Sequence, residues 1–116
     1  MPTKTYTLAQ VLNVTTGRLL TNMLDVRDLL GFLTRDGYIC DLGCVVVAPH
    51  CRKVIFKKFP FLKKGMKEKL KVLDKALTDL ICDTQVNRSK AIDRWVENLE
   101  SQWPKCYTFS DSDYIG

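Results

Sequence analysis

The chain has 116 residues, 46% of them apolar, and a formal net charge of +5. That length suits one domain and not two, and the apolar share excludes disorder along the whole chain. No stretch approaches the roughly twenty apolar residues of a membrane span, the longest tight run being Val45-Val46-Val47-Ala48.

Thr7-Leu8-Ala9-Gln10 reads as a helix start, because the Thr7 oxygen can accept from the Gln10 N–H while the Gln10 side chain returns to the Thr7 N–H. Leu8, Val11, Leu12 and Thr15 then share one face, and Gly17 stands where a left-handed residue stops the helix. A second start lies at Thr21 or Asn22, followed by Val26, Leu29, Leu30 and Leu33 at helical spacing, with Asp25 in the first turn and Arg35-Asp36-Gly37 at the end. Tyr38-Ile39-Cys40 suits a short strand, and Cys44 through Val47 suits either a strand or a buried helical turn. Pro49 favours a helix that begins there, since a first turn does not use its missing N–H. Cys51, Val54, Ile55 and Phe59 would line its face and Pro60 would stop it.

After a Lys63-Lys64-Gly65 linker comes the clearest pattern: Met66, Leu70, Leu73, Leu77 and Leu80 form an apolar seam that predicts a helix over 66–81. A last helix is expected from about Ser89 to Gln102, with Ile92, Trp95, Val96, Leu99 and Trp103 on its face and Pro104 after it. The segment 104–116 either adds an edge strand through Cys106 to Phe109 or stays loose. The fold class expected is mainly α, a single compact domain of about five helices near 8–15, 23–34, 50–59, 66–81 and 89–102, with room for one short β element. Its core should hold Leu12, Leu29, Leu30, Leu33, Ile55, Leu70, Leu73, Leu77, Trp95 and Leu99.

Charge is distributed unevenly. Residues 52–75 hold ten basic and two acidic residues, a net of +8, whereas the rest of the chain holds eight basic and eleven acidic, a net of −3. Arg52, Lys53, Lys57, Lys58, Lys63, Lys64, Lys67, Lys71 and Lys75 make up the candidate binding face. Lys63, Lys67, Lys71 and Lys75 recur every four residues, a stripe that turns only about 40° per step. Such a face implies an anionic partner or simply a solvated helix with snorkelling lysines. Arginine, which base-edge and bidentate phosphate recognition favour, is scarce in it.

Cys40, Cys44, His50 and Cys51 bring three thiols and the one histidine within twelve residues. Zinc accepts such ligands, but the spacing lacks the Cys-x2-Cys knuckle of a finger or ribbon, so inert thiols are the expectation and this metal site the alternative. Five cysteines, odd in number and irregular in spacing, suit a reducing compartment, and Met1 to Tyr6 lack the apolar core of a secretory signal. A cytoplasmic protein is expected. Catalysis has little to work with: adjacent His50 and Cys51 would project about 100° apart on a helix, Asp25 and Asp28 suit a helix start, and no phosphate-cradling loop is present. No cofactor and no enzymatic activity are expected.

The motif Thr7-x3-Val11-Leu12-x2-Thr15-Thr16-Gly17-x-Leu19-Leu20 resembles a family of short bacteriophage-encoded proteins that carry a domain of unknown function. The likeness runs on through Asp25-Val26-x2-Leu29-Leu30-x2-Leu33-Thr34-x-Asp36, Ala48-Pro49 and Pro60-x-Leu62, with Trp95 in a late helix. It implies a phage accessory protein made in a bacterial cell and brings no site residues. The expectation is a small binding protein whose partner is a host or defence protein, with non-specific nucleic-acid binding through the 52–75 face as the alternative and no role for a membrane.

Overall fold

Thr7 closes a capping box at the first helix, accepting from the Gln10 N–H at 3.3 Å and donating its own N–H to Gln10 Oε1 at 2.9 Å. Two donors that a helix start leaves without partners are thereby satisfied. In the computed structural model, which describes residues 3–79, 85–110 and 113 (backbone alone at 85 and 86), this box joins strand β1 (Thr3–Thr7) to helix α1 (Leu8–Thr15). Then follow α2 (Met23–Thr34), α3 (Asp41–Lys58), a 3-10 turn (Pro60–Leu62), α4 (Met66–Thr78), α5 (Gln85–Glu100) and β2 (Cys106–Ser110). Among the described residues the fold is mainly α, five helices with one short antiparallel sheet, as the periodicity predicts. The chain forms two compact units, Met1–Lys63 with Lys105–Gly116, and Lys64–Pro104.

In the first unit β1 and β2 pair with Tyr6 opposite Tyr107 and Lys4 opposite Phe109. Alternation sends Tyr6, Tyr107 and Phe109 inward, where all three are buried. Leu8, Val11, Leu12 and Thr15 of α1 share the buried face expected of them. Asn13 is also buried; its side-chain oxygen accepts from the N–H groups of Leu20 and Thr21 and so pins the loop between α1 and α2. Asn22 caps α2 by accepting from the Asp25 N–H at 2.9 Å. The helix ends on Arg35 in the left-handed region, φ 59°, rather than on a glycine. The chain turns back so tightly that a Cβ on Gly31 would lie 2.8 Å from the Asp36 carbonyl oxygen, which is why a glycine stands at that helical position.

Helix α3 corrects the expectation most. It starts at Asp41 and not at Pro49, which lies inside it, and residues 38–40 form no strand. Cys40 caps it, its Sγ accepting from the Gly43 N–H at 3.4 Å, and Asp41 sits in the first turn where the helix dipole favours an acid. Cys44, Cys51 and Ile55 are buried along one face. Burying that face outweighs the preference of proline for a helix start. Pro49 lies on the exposed side and, lacking an N–H, does not donate to the Val45 carbonyl one turn earlier.

In the second unit α4 and α5 pack side by side. Met66, Leu73, Trp95, Val96 and Leu99 are buried, and Trp95 Nε1 donates to the Lys69 carbonyl at 2.9 Å. Leu70 and Leu77 are only half-buried, because two helices alone cannot cover a whole seam. Leu80 and Ile81, expected at the end of α4, lie outside the described residues. Helix α5 begins at Gln85, four residues before Ser89, and ends at Glu100. Ser89 is exposed inside it, where serine costs only a few tenths of a kcal/mol and does not have to cap.

Candidate functional site

Around α3 the apolar residues make two faces. Cys44, Ala48, Cys51 and Ile55 follow one another at i, i+4, i+7 and i+11 and look into the unit. Leu42, Val45, Val46 and Pro49 follow at i, i+3, i+4 and i+7 and look outward, with 73, 70 and 64% of the first three accessible. The second set is itself a complete amphipathic stripe that no described residue covers. Leu19, also more than half exposed, adds apolar surface on the neighbouring α1–α2 connection.

Beside this stripe runs a groove of about 320 Å³, lined among others by Met23, Val26, Leu30, Val45, Ala48 and Arg52. Arg52 donates its Nε–H to the Val14 carbonyl at 3.0 Å, at the last turn of α1. A Cβ on Gly17, whose φ is +72°, would stand 3.6 Å from the Arg52 guanidinium. Arg52 is thus tied to the scaffold through its Nε–H and is half-buried.

The other cations divide in the same way. Lys58 pairs with Asp113 at 2.6 Å and lies over the Phe109 ring. Burial alone would raise the Asp113 carboxyl, but hydrogen bonds from Lys58 and the Ser110 N–H hold it below the usual carboxylate range. Lys53 and Lys57 are exposed on α3, and Lys67, Lys71 and Lys75 are exposed along α4, none of them ion-paired with a described residue. Lys63 and Lys64 precede α4 and are exposed too.

The four metal-ligand candidates all fall on α3 or at its cap. Cys44 and Cys51 are buried and Cys40 and His50 exposed, and the described residues hold no cluster of three or more groups able to share a metal ion. Burial raises both inner thiols, the nearby Cys44 adding to the effect at Cys51, which is pushed up to about 11. They are protonated and poor nucleophiles at neutral pH. Of the carboxylates at the start of α2, Asp25 accepts from Gln10 Nε2 at 3.1 Å and Asp28 pairs with Lys4. Trp95 belongs to the core, and Trp103 is half-buried beneath Lys69.

The outward stripe sits in a stretch whose apolar run suits strand and helix alike, so composition does not single it out. Its spacing, Leu42-x2-Val45-Val46-x2-Pro49, was nevertheless legible. No helix among the described residues is long and apolar enough to cross a membrane. Comparison with protein-family models, with curated proteins and with solved structures finds no match.

Proposed function

We propose that the chain is a non-enzymatic binding protein and that its partner is another protein, met on the outward face of α3. The observation that carries this reading is the exposed stripe Leu42, Val45, Val46 and Pro49, set opposite the face that α3 gives to its own core. An apolar surface of this kind lowers its free energy by being covered, and a protein surface covers it well. A nucleic acid meets phosphate-binding cations first and leaves aliphatic side chains in water. The resemblance to a bacteriophage family adds the expectation that the partner is a host or defence protein in the bacterial cytoplasm. The reading calls for no cofactor.

A second reading rests on Lys67, Lys71 and Lys75, exposed at four-residue intervals on α4 with no ion pair to a described residue. On that reading the chain binds nucleic acid without sequence preference. Two variants separate the readings. Val46→Glu should abolish capture of a protein from bacterial lysate and leave any retention of random duplex or single strands unchanged. Lys67→Gln, Lys71→Gln and Lys75→Gln together should leave protein capture intact. Nucleic-acid binding that is tight at moderate salt and vanishes with the three glutamines would overturn the protein-binding proposal.

A further inference from the structure

The outward line of α3 does not end at Pro49. Lys53 follows four residues later and Lys57 four after that, each step turning the helix by only about 40°. Both are exposed. One face of one helix is therefore apolar in its first half and basic in its second. No Asp or Glu occurs between Leu42 and Lys67. Lys4, Arg27 and Lys58 each have a carboxylate, from Asp28, Asp41 and Asp113 respectively. Lys53 and Lys57 have none among the described residues, and Arg52 donates its Nε–H to the Val14 carbonyl.

We infer that the occupant of this face is an acidic amphipathic helix of the partner protein, lying antiparallel to α3. The inference rests on the reading of the α3 stripe as the contact surface. An i, i+3, i+4, i+7 row is a ridge that interlocks with the ridges of a second helix. The groove beside it accepts a large side chain from that helix. From Leu42 to Lys57 the face is about 22 Å long, so roughly four turns are needed to cover it. Apolar side chains then cover Leu42, Val45, Val46 and Pro49, and carboxylates meet Lys53 and Lys57. Acidic residues are most favourable in the first turn of a helix, where they complement its dipole. The first turn of the occupant therefore lies over the last turns of α3.

A second copy of this chain does not supply such a helix. Asp25 and Asp28 in the first turn of α2 are already engaged by Gln10 and Lys4, and the acidic line Asp93, Glu97 and Glu100 on α5 belongs to a helix whose Trp95, Val96 and Leu99 are buried in the second unit. Presenting those apolar residues would take the second unit apart. Two α3 helices brought face to face offer lysines and no free carboxylate.

The test is selection from a library of random peptides of about 16 residues, a length set by the face, on the intact protein. Enriched peptides should carry apolar residues at helical spacing with Asp or Glu on their N-terminal side. A representative peptide, titrated by fluorescence anisotropy at low salt, should lose about tenfold in affinity to Lys53→Gln with Lys57→Gln, as expected for two rim charge pairs. It should lose about a hundredfold or more to Val46→Glu, which buries a charge in the contact. The α4 triple-glutamine variant should bind as the wild type does. These substitutions lie on exposed positions, and an unchanged melting temperature confirms that each variant folds. Enriched peptides that are neutral, basic or acidic at their C-terminal side overturn the acidic helix, as does affinity indifferent to Lys53 and Lys57. If Val46→Glu still removes binding in those cases, the α3 contact surface stands. Binding untouched by Val46→Glu overturns both, and concentration-dependent self-association that the peptide competes away makes a second copy the occupant.

Discussion

The two units bury their apolar residues to different depths. In the first, Leu8, Val11, Leu12, Leu29, Leu30, Leu33, Cys51, Ile55, Leu62 and Phe109 are all 0% accessible. In the second, Leu73 reaches 1%, whereas Met66, Trp95, Val96 and Leu99 stay between 5 and 8%. Three helices and a sheet enclose a centre; two helices meet only along a line. The regularity of a pattern is thus a poor guide to the depth of burial. The seam of α4 has the cleanest heptad spacing in the chain, yet Leu70 and Leu77 are half-buried. The apolar residues of α3 run all round the helix and hide its period, yet they include Cys51 and Ile55, which are fully enclosed.

The largest effect that sharpens this contrast should come from Phe109→Ala. Phe109 is enclosed, with the Phe59 ring edge-on at 5.5 Å, so its removal should cost about 3–5 kcal/mol. Leu70→Ala, at a half-buried position, should cost clearly less than the 2–5 kcal/mol usual for a fully buried leucine. Urea unfolding followed by far-ultraviolet dichroism measures both, and equal losses would break the comparison. Both tryptophans lie in the second unit, so their fluorescence reports its opening. The fluorescence transition should come at lower urea than the dichroism transition, as expected where apolar burial is shallow.

A middle-sized effect is expected from Trp95→Phe. It keeps most of the apolar contact and removes the indole N–H that donates to the Lys69 carbonyl, which should cost about 1 kcal/mol. Reduced amide protection confined to α4 and α5 is the expected signature in hydrogen exchange, and loss spread equally over α1 to α3 would contradict it.

The smallest effect concerns Asp113, which belongs to the first unit. Its folded carboxyl titrates below the ordinary carboxylate range, so its contribution is fully present above that range and fades as pH falls through the lowered value. Melting temperatures measured from neutral to acid pH should converge for wild type and Asp113→Asn at the acid end. A gap that persists there would show that Lys58 and Ser110 gain nothing from the charge.

Where local chemistry decides, the residues could be read directly. Thr7 with Gln10, and Asn22 ahead of Asp25, mark the starts of α1 and α2 because a capping side chain acts within one turn. Pro49 favours a later start, because the demand to bury Cys44 and Cys51 comes from the other helices and the marks near residue 41, a cysteine cap and one first-turn acid, are weaker signals than a proline. Tyr6 and Phe109 were not among the expected core residues for a similar reason: strand pairing between β1 and β2 joins positions far apart in the chain. The basic cluster was visible as composition, but which cations are committed was not. Arg52 answers to Val14 and Lys58 to Asp113, partners that only the fold brings near. The α3 stripe was spelled out in spacing and obscured by the aliphatic residues on the opposite side of the same helix.

The pairing of β1 with β2 also orders events on the ribosome. The strand that completes the first unit is translated after the whole of α5, so the hairpin of α4 and α5 is synthesised before its predecessor can close. Until Tyr107 and Phe109 emerge, Tyr6 lacks the Phe109 ring and Phe59 lacks both, leaving each with a single ring neighbour in Phe32 and Phe61 respectively among the described residues. A chain truncated after Pro104 would leave that aromatic surface partly open to chaperones, and the strand from Cys106 to Ser110 is what closes it.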